Sequence, residues 1–190
     1  MPLSFPNVSL STFGRYIETY PLDIIDSIRN AARPPDGGTG PTEIQVQLCD
    51  VLYQVCHRPD KGLFRVAPLR EPGQAYSDDT DTLTNAKKLA NKLNMAWRIN
   101  SYSFRVEAGS FTCSEEYLTC PITMAIPTNG IFVKASSQSD VCHLFDKEAF
   151  LKLLPEEFVH PLTKEKIRID MIVRKSECFF NTERENFTLR

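Results

Sequence analysis

The sequence lacks any long uninterrupted apolar segment. Among its 190 residues there is no run of about 18 uncharged apolar side chains, so we expect no membrane-spanning helix and no membrane partner. The first residues also lack the basic start and continuous apolar core of a secretory signal peptide. With 42% apolar residues, the chain predicts a soluble globular protein with a sizeable core, in one large domain or two small ones.

The chain has little net charge. Its 22 basic and 24 acidic residues give a formal net charge of -2 at pH 7. Electrostatic binding to nucleic acid needs a basic face that releases counterions from the phosphates. We therefore expect no nucleic-acid partner, although a local basic patch stays open.

Closely spaced cysteine pairs are missing. The six cysteines are too few and too scattered for a disulfide framework, so we expect reduced thiols. A cross-braced zinc site of the RING type needs two complete tetrahedral sets of Cys or His ligands in close pairs, and the second half of the chain falls short of them. We expect no metal and no other cofactor. The six side chains in that half are Cys113, Cys120, Cys142, His143, His160 and Cys178.

A cysteine nucleophile is an alternative use of the same side chains. Cys120 or Cys142 would need His143 or His160 within hydrogen-bond reach as a base. Cys142 and His143 are adjacent on a predicted strand and should point to opposite faces, so they cannot form a dyad. The sequence does not place the other pairs, and a cysteine hydrolase stays an alternative.

The first half predicts a mainly helical domain over residues 13–100. Residues 1–12, rich in Ser, Asn and Pro, predict a disordered secretion segment, although a frayed terminus has the same composition. The apolar spacing predicts helices over 15–31 and 43–57, and a third helix from the acidic stretch 78–82 to about Trp97. On the third helix an apolar face is formed by Leu83, Ala86, Ala90, Leu93 and Trp97.

The second half predicts short strands and one short helix, which makes the fold class α+β. The segments 131–134 and 141–145 predict a hairpin around a polar turn, and 178–180 with 187–189 a closing hairpin. Asp146 can cap a short helix that follows the first hairpin. Further strands are predicted at 102–107 and 167–173.

Two short sequences in this half repeat one pattern. Each has Cys or His, then Pro, an aliphatic residue and Thr, and the proline stiffens the loop while the threonine can bond to nearby backbone. The aliphatic residues could plug the core beneath their loops, or the two loops could flank the helix and form a shallow apolar groove. The repeats are Cys120-Pro121-Ile122-Thr123 and His160-Pro161-Leu162-Thr163.

The order of these motifs resembles a known family. The words CPIT, GIFVK, SDVCHLFDKEAFLKLL, HPLTKEKI, DMIV and EC, within residues 110–190, are similar to the NleG family of bacterial type III secreted ubiquitin ligases. The resemblance implies a U-box, the metal-free relative of the RING, over 110–190. It also implies secretion into the host cell cytoplasm, with residues 13–100 selecting an unknown host substrate.

The resemblance implies a ligase that forms no covalent intermediate and positions a host ubiquitin-conjugating enzyme charged with ubiquitin. Carried over by position, Ile122, Leu153 and Pro161 would contact that enzyme, so Ile122 should be exposed and Leu162 should face inward. Lys164 would be the positioning cation, or else a solvated loop lysine. Support for the loops would come from Cys120, Pro121, Thr123, Asp146, His160 and Thr163, with Ser137, Ser139, Lys147, Arg168 and Asp170 as further polar groups.

A binding module is the alternative from another functional class. It would keep the U-box-like fold and sequester a host protein without promoting transfer. Lys164 keeps this alternative open, because a lysine is a point donor where the usual arginine offers a planar fork.

Overall fold

The computed structural model describes residues 42–48, 51–58, 61–69, 80–107, 109–154 and 158–190. The chain divides into two compact units, Met1–Met95 and Ala96–Arg190. The predicted secretion segment 1–12 and the predicted helix 15–31 lie outside the described residues. Helices and strands both occur, in agreement with the predicted α+β class.

The first unit contains an antiparallel sheet where a helix was predicted. Strands β1 (Thr42–Leu48), β2 (Val51–Arg58) and β3 (Leu63–Pro68) lie in the order β1-β2-β3. The predicted helix over 43–57 is therefore wrong, and so is the mainly helical character of the described part of this unit. The buried residues Tyr53 and Val55 alternate with the half-buried Gln54 and are aromatic or β-branched, which favours a pleated surface.

The long helix predicted from the acidic stretch is present. Helix α1 runs over Thr80–Tyr102, further than predicted, and enters the second unit. Its buried face includes Ala86, Leu89 and Leu93, whereas Leu83, predicted on that face, is 46% exposed.

The second unit is built on a mixed-length antiparallel sheet. The two predicted hairpins are present, and they pair Asn129–Lys134 with Val141–Asp146 and Cys178–Asn181 with Asn186–Leu189. The strand predicted at 167–173 is reduced to its last two residues, and that at 102–107 to Phe104–Arg105. The strands are β4 (Phe104–Arg105), β5 (Asn129–Lys134), β6 (Val141–Asp146), β7 (Ile172–Val173), β8 (Cys178–Asn181) and β9 (Asn186–Leu189), in the order β4-β5-β6-β9-β8 with β7 on β5.

The predicted short helix follows β6 directly. Helix α2 runs over Lys147–Leu151, and the Asp146 carboxylate accepts a hydrogen bond of 2.8 Å from the Ala149 N–H. That bond satisfies one of the free donors at the start of the helix. The sequence therefore places the junction of β6 and α2 at Asp146.

Gly130 in β5 lies close to side chains of neighbouring residues. A Cβ atom at Gly130 would lie 2.7 Å from the Leu144 side chain and 2.8 Å from that of Val106. A larger residue at position 130 would therefore force these two side chains to move. In the described part of the chain no helix is long and apolar enough to cross a bilayer.

Candidate functional site

The two repeated motifs form loops with the same backbone hydrogen bonds. In the first loop, residues 120–125, the Cys120 N–H donates to the Ala125 carbonyl (2.9 Å) and the Met124 N–H donates to the Cys120 carbonyl (2.8 Å). In the second loop, residues 160–165, His160 makes the same two bonds with Glu165 (2.8 Å) and Lys164 (2.9 Å). The sequence repeat is therefore also a structural repeat.

The side chain of Cys120 joins the first loop to the start of α2. Its Sγ accepts hydrogen bonds from the Ile122 N–H (3.4 Å) and from the Asp146 N–H (3.1 Å). The thiol is fully buried. In a metal site the lone pairs of such a sulfur would bind the ion. In this loop two backbone N–H groups donate to the Cys120 sulfur instead.

The ring of His160 plays the corresponding part in the second loop. Its Nδ1 accepts hydrogen bonds from the Leu162 and Thr163 N–H groups, each at 3.2 Å. The ring is fully buried, with its centroid 5.3 Å from those of Phe145 and His143. Both loops therefore attach to adjacent residues at the end of β6, the first at Asp146 and the second at Phe145.

Burial and neighbouring charge keep His160 neutral. Desolvation, followed by the nearby His143, lowers its pKa to about 4, against an opposing effect of Glu165. The hydrogen bonds act in the same direction, because a protonated Nδ1 could no longer accept the two N–H groups. In the neutral ring the proton is on Nε2, which is buried without a hydrogen-bond partner among the described residues.

Further supports reach the second loop from the turn of the first hairpin. The Thr163 hydroxyl donates to the Ala135 carbonyl (2.8 Å), and a Glu165 carboxylate oxygen accepts from the Ser137 N–H (3.0 Å). Lys134 closes that turn by donating to the Ser137 carbonyl (2.9 Å). Sequence reasoning missed Glu165, whose only signal is its position two residues after Thr163.

Several predicted supports act only locally. Arg168 pairs with Asp170 and Lys147 with Glu148, within exposed or partly exposed pairs a residue or two apart. The Thr123 hydroxyl, on the exposed side of the first loop, has no hydrogen-bond partner within the described segments. Pro121 is half-buried beside His143 in a small cleft.

The aliphatic side chains of the two loops lie partly at the surface. Leu162 is 50% exposed, so the expectation that it faces inward is wrong, because the His160 ring already fills the space beneath the loop. Ile122, expected to be exposed, is half-buried, as are Leu153 and Pro161. More exposed apolar groups are Met124 within the first loop and Ile126 directly after it, which are 77% and 45% exposed.

The fifth residue of each loop has a left-handed backbone. Met124 has φ +55° and Lys164 has φ +62°, a conformation that costs a residue with a side chain about 1 kcal/mol or more. Both side chains are exposed. Each loop thus presents a long side chain at a position where glycine would be less strained.

The cysteines and histidines of the second half could form two alternative sites, a metal site or a cysteine nucleophile. In the parts of the chain that the structure describes, their side chains do not come together in either arrangement. There, no group of three or more His, Cys, Asp or Glu side chains is placed to hold a metal ion. Cys142 is buried and its Sγ lies 3.7 Å from the Asp140 carbonyl. The pKa of Cys178 is raised by its hydrogen bond to Cys142 and by burial, which disfavours a reactive thiolate.

Comparison with known proteins gives one family match and several relatives. The family described as "Effector protein NleG" matches residues 78–190. The chain is 42% identical over 107 residues to the "Probable E3 ubiquitin-protein ligase NleG7" of Citrobacter rodentium, covering 51% of each chain. It is 39% identical over 118 residues to the "E3 ubiquitin-protein ligase NleG8" of the same organism, covering 61% of this chain and 55% of the relative.

A third relative and one solved structure complete the comparison. The "E3 ubiquitin-protein ligase NleG" of Escherichia coli O157:H7 is 40% identical over 92 residues, covering 48% of this chain and 43% of the relative. The crystal structure of the NleG5-1 effector from Escherichia coli O157:H7 str. Sakai is 24% identical, with a TM-score of 0.48 over 90% of this chain and 92% of that one. This chain spans about half the length of the curated relatives it matches.

Proposed function

This chain belongs to the NleG family of effector proteins, and we propose that it is a ubiquitin-protein ligase with a C-terminal U-box over residues 110–190. The observation that carries the proposal is the pair of loops, centred on Cys120 and His160, that share one pattern of backbone hydrogen bonds within the segment that matches the family. The names of the relatives, which describe ubiquitin-protein ligases, support the same activity.

The ligase acts by positioning and forms no covalent intermediate of its own. A host ubiquitin-conjugating enzyme carries ubiquitin as a thioester, a lysine amine attacks the thioester carbonyl, and the cysteine thiolate of the conjugating enzyme leaves. The loops are fixed by internal bonds before a partner arrives, so little entropy is lost on docking. Holding the thioester in a reactive pose lowers the entropic part of the barrier.

The surface for the conjugating enzyme consists of Ile122, Leu153 and Pro161. All three are half-buried, so each has a fixed position and still presents apolar surface. The exposed Leu162 and Met124 extend the same loops with apolar area, which a partner would bury. Support for this surface comes from Cys120, Pro121, Asp146, His160 and Thr163, whereas the Thr123 hydroxyl has no hydrogen bond within the described residues.

Lys164 is the positioning cation. Its side chain is exposed, and its left-handed backbone places a charged side chain at a strained position. Strain of this kind is retained where it serves a site. The ammonium group would donate to both the conjugating enzyme and ubiquitin and hold them together.

The protein acts inside the host cell after type III secretion. The first residues, 1–12, serve as the secretion segment, and the remainder of the first half, 13–100, selects a host substrate. Ubiquitin and a host conjugating enzyme are the other partners.

A reconstituted ubiquitination assay tests the proposal. The full chain is incubated with activating enzyme, conjugating enzyme, ubiquitin and ATP, and ubiquitin chains are expected. Ile122→Lys or Pro161→Ala should abolish them, whereas Leu83→Lys, at an exposed apolar residue of the first unit, should leave them unchanged. Circular dichroism checks that each variant is folded. Wild-type amounts of chain from both loop variants would refute the assigned surface.

The second candidate function is a non-catalytic module that sequesters a host protein. The observation that favours it is the lysine at position 164, since a point donor locks two partners less firmly than a planar guanidinium. Discharge of a preloaded conjugating enzyme onto free lysine separates the candidates. A ligase accelerates discharge, whereas a module binds the conjugating enzyme and leaves the rate unchanged.

A further inference from the structure

A basic and aromatic cleft lies in the second unit, built from residues that the proposed ligase surface does not use. Its volume is about 620 Å³, within the range of roughly 300–1,000 Å³ that is usual for ligand sites. It is lined by the end of α1, by β4, by the turn before β8 and by β8 itself, with Tyr102, Phe104, Phe111, Arg174, Lys175 and Phe180 among its residues.

Aromatic rings hold the cations of this cleft. The Lys175 ammonium lies 5.4 Å from the Phe104 ring centre and 5.0 Å from that of Phe111. The Arg174 guanidinium lies 4.7 Å from the Tyr102 ring centre, and Arg98 approaches the same ring at 4.5 Å. Rings position a cation without neutralising it, which leaves its charge available to an anionic partner.

The cleft has an excess of positive charge. Among the described residues, neither Arg174 nor Lys175 forms a salt bridge with a carboxylate, and Arg190 adds a further guanidinium to the lining. The neighbouring carboxylate of Glu177 accepts a 2.7 Å hydrogen bond from the Arg174 backbone N–H. Hydroxyl groups of Ser110, Thr112 and Ser176 also line the cleft and could donate to an anion.

One wall of the cleft is formed by β8, whose outer edge is paired with no other strand among the described residues. Strand β8 ends the strand order, and Cys178, Phe179 and Phe180 line the cleft. The Leu189 N–H donates to Asp140, and the Arg190 N–H donates to Glu177. Since alternate residues of a strand bond to opposite neighbours, Phe187, like Leu189, bonds towards β6. Its partner Phe180 therefore points its N–H and carbonyl away from β9, towards the open edge.

We propose that this cleft binds an extended acidic segment of a partner protein, which adds a strand to β8 and places its carboxylates against Arg174 and Lys175. Strand addition supplies backbone bonds along an open edge, and alternate side chains of the added strand enter neighbouring pockets. The charge of the cleft selects acidic side chains for those positions, because charge-assisted hydrogen bonds to carboxylates are the strong ones. The site is separate from the loops at 120–125 and 160–165 and does not depend on the proposed ligase activity.

A fluorescence-anisotropy titration of the full chain tests the site. The probe is a labelled peptide of about eight residues, a usual strand length, that alternates Glu and Thr. Two further probes are phosphatidylserine vesicles and a proline peptide, which has Pro in place of every Thr and N-methyl groups on the Glu amides, so that it keeps the charge but has no backbone donor for pairing. The Glu-Thr peptide should bind, and the other two probes should not. Equal binding of the proline peptide, or binding of vesicles alone, would overturn the proposal, as would binding of none.

Charge variants identify the residues. Arg174→Glu with Lys175→Glu should weaken peptide binding at least about tenfold, through the loss of two charge-assisted contacts. Arg174→Gln with Lys175→Met keeps the aliphatic stems on the rings and should weaken binding without loss of folding. The matched control is Lys87→Glu with Lys88→Glu, an exposed pair on α1 in the first unit. Wild-type affinity in both cleft variants would refute the assignment.

Amide hydrogen exchange identifies the strand edge. Peptide binding should slow exchange at the Phe180 N–H, which points to the open edge, and leave exchange at the Phe187 N–H unchanged. Protection at neither amide would show that the peptide does not pair with β8.

Discussion

The two loops share a backbone frame but differ in the side chain at its centre. In the first loop the Cys120 sulfur receives one donor from its own loop and one from Asp146 across the fold. In the second loop the His160 ring receives two donors from its own loop and packs among aromatic rings. The same pattern of backbone hydrogen bonds can thus be anchored by a hydrogen bond to another element or by a buried ring.

This difference gives the loops different sensitivities. The first depends on a thiol with satisfied backbone donors, whereas the second depends on the neutrality and volume of one imidazole. Variants that remove the Cys120 thiol or the His160 ring separately therefore test whether the two loops differ in this way.

Truncation of His160 should have the largest effect on the free energy of unfolding. His160→Ala removes a fully buried ring and leaves the Leu162 and Thr163 N–H groups without their acceptor. We expect a loss of about 3 kcal/mol in the free energy of unfolding, measured with urea. A loss below that of Cys120→Ala would contradict the comparison.

Acid should destabilise the second loop more than the first. The folded pKa of His160, about 4, is below the ordinary value of 6.5, so between these pH values the unfolded chain binds more protons. Stability is therefore fully present above about pH 6.5 and falls as the pH drops towards 4, by on the order of 3 kcal/mol.

His143 adds to the same trend, since burial lowers its pKa too. Urea unfolding at a series of pH values measures the slope. His160→Asn, which has an oxygen near the position of Nδ1 but does not titrate, should reduce that slope, and Cys120→Ala should not. An unchanged slope in His160→Asn would show that the titration of other groups governs acid sensitivity.

Removal of the Cys120 side chain should lower the free energy of unfolding by less than removal of the His160 ring. Cys120→Ala leaves the Ile122 and Asp146 N–H groups without the sulfur, a weak acceptor, and creates a small void. We expect a loss of about 1 to 2 kcal/mol in thermal or urea unfolding. Cys120→Ser, whose oxygen can still accept but is smaller and more costly to bury, should fall between Ala and wild type; a Ser variant less stable than Ala would argue against the hydrogen bonds as the main contribution.

The smallest expected change in stability comes from the threonines of the two repeats. Thr163→Val removes the hydroxyl that donates to the Ala135 carbonyl and should cost about 1 kcal/mol. Thr123→Val is the matched control in the first loop, where the hydroxyl has no such bond within the described residues, and should be close to neutral. Equal losses in the two variants would mean that the Thr163 bond contributes nothing of its own.

Local signals explain which parts of the fold could be predicted. The two hairpins and the helix capped by Asp146 are set by adjacent residues, and all are present. The prediction of a helix over 43–57 failed because the apolar residues Ile44, Leu48 and Val55 fit a helical spacing as well as a strand alternation. The choice between these is made by the pairing of β2 with β3, which lies elsewhere in the sequence.

The same limit applies to the candidate site. Repetition of Cys or His, Pro and Thr predicted two matching loops, because the frame is made within each motif. The bond between Glu165 and the Ser137 N–H joins residues 28 positions apart, and no pattern within either segment indicates it. The inward orientation expected for Leu162 failed for a related reason, since the sequence does not tell which of two neighbouring side chains fills the space below a loop.

The construction of the loops has a consequence for how such surfaces diversify. The frame uses backbone groups together with residues 120 and 160, so the exposed residues at 124, 162 and 164 contribute no bond of their side chains to it among the described contacts. Substitutions there can change the shape and charge offered to a partner without the need to redesign the scaffold. Partner choice and folding are thereby assigned to different positions of the same six-residue loop, and they can drift independently over evolutionary time.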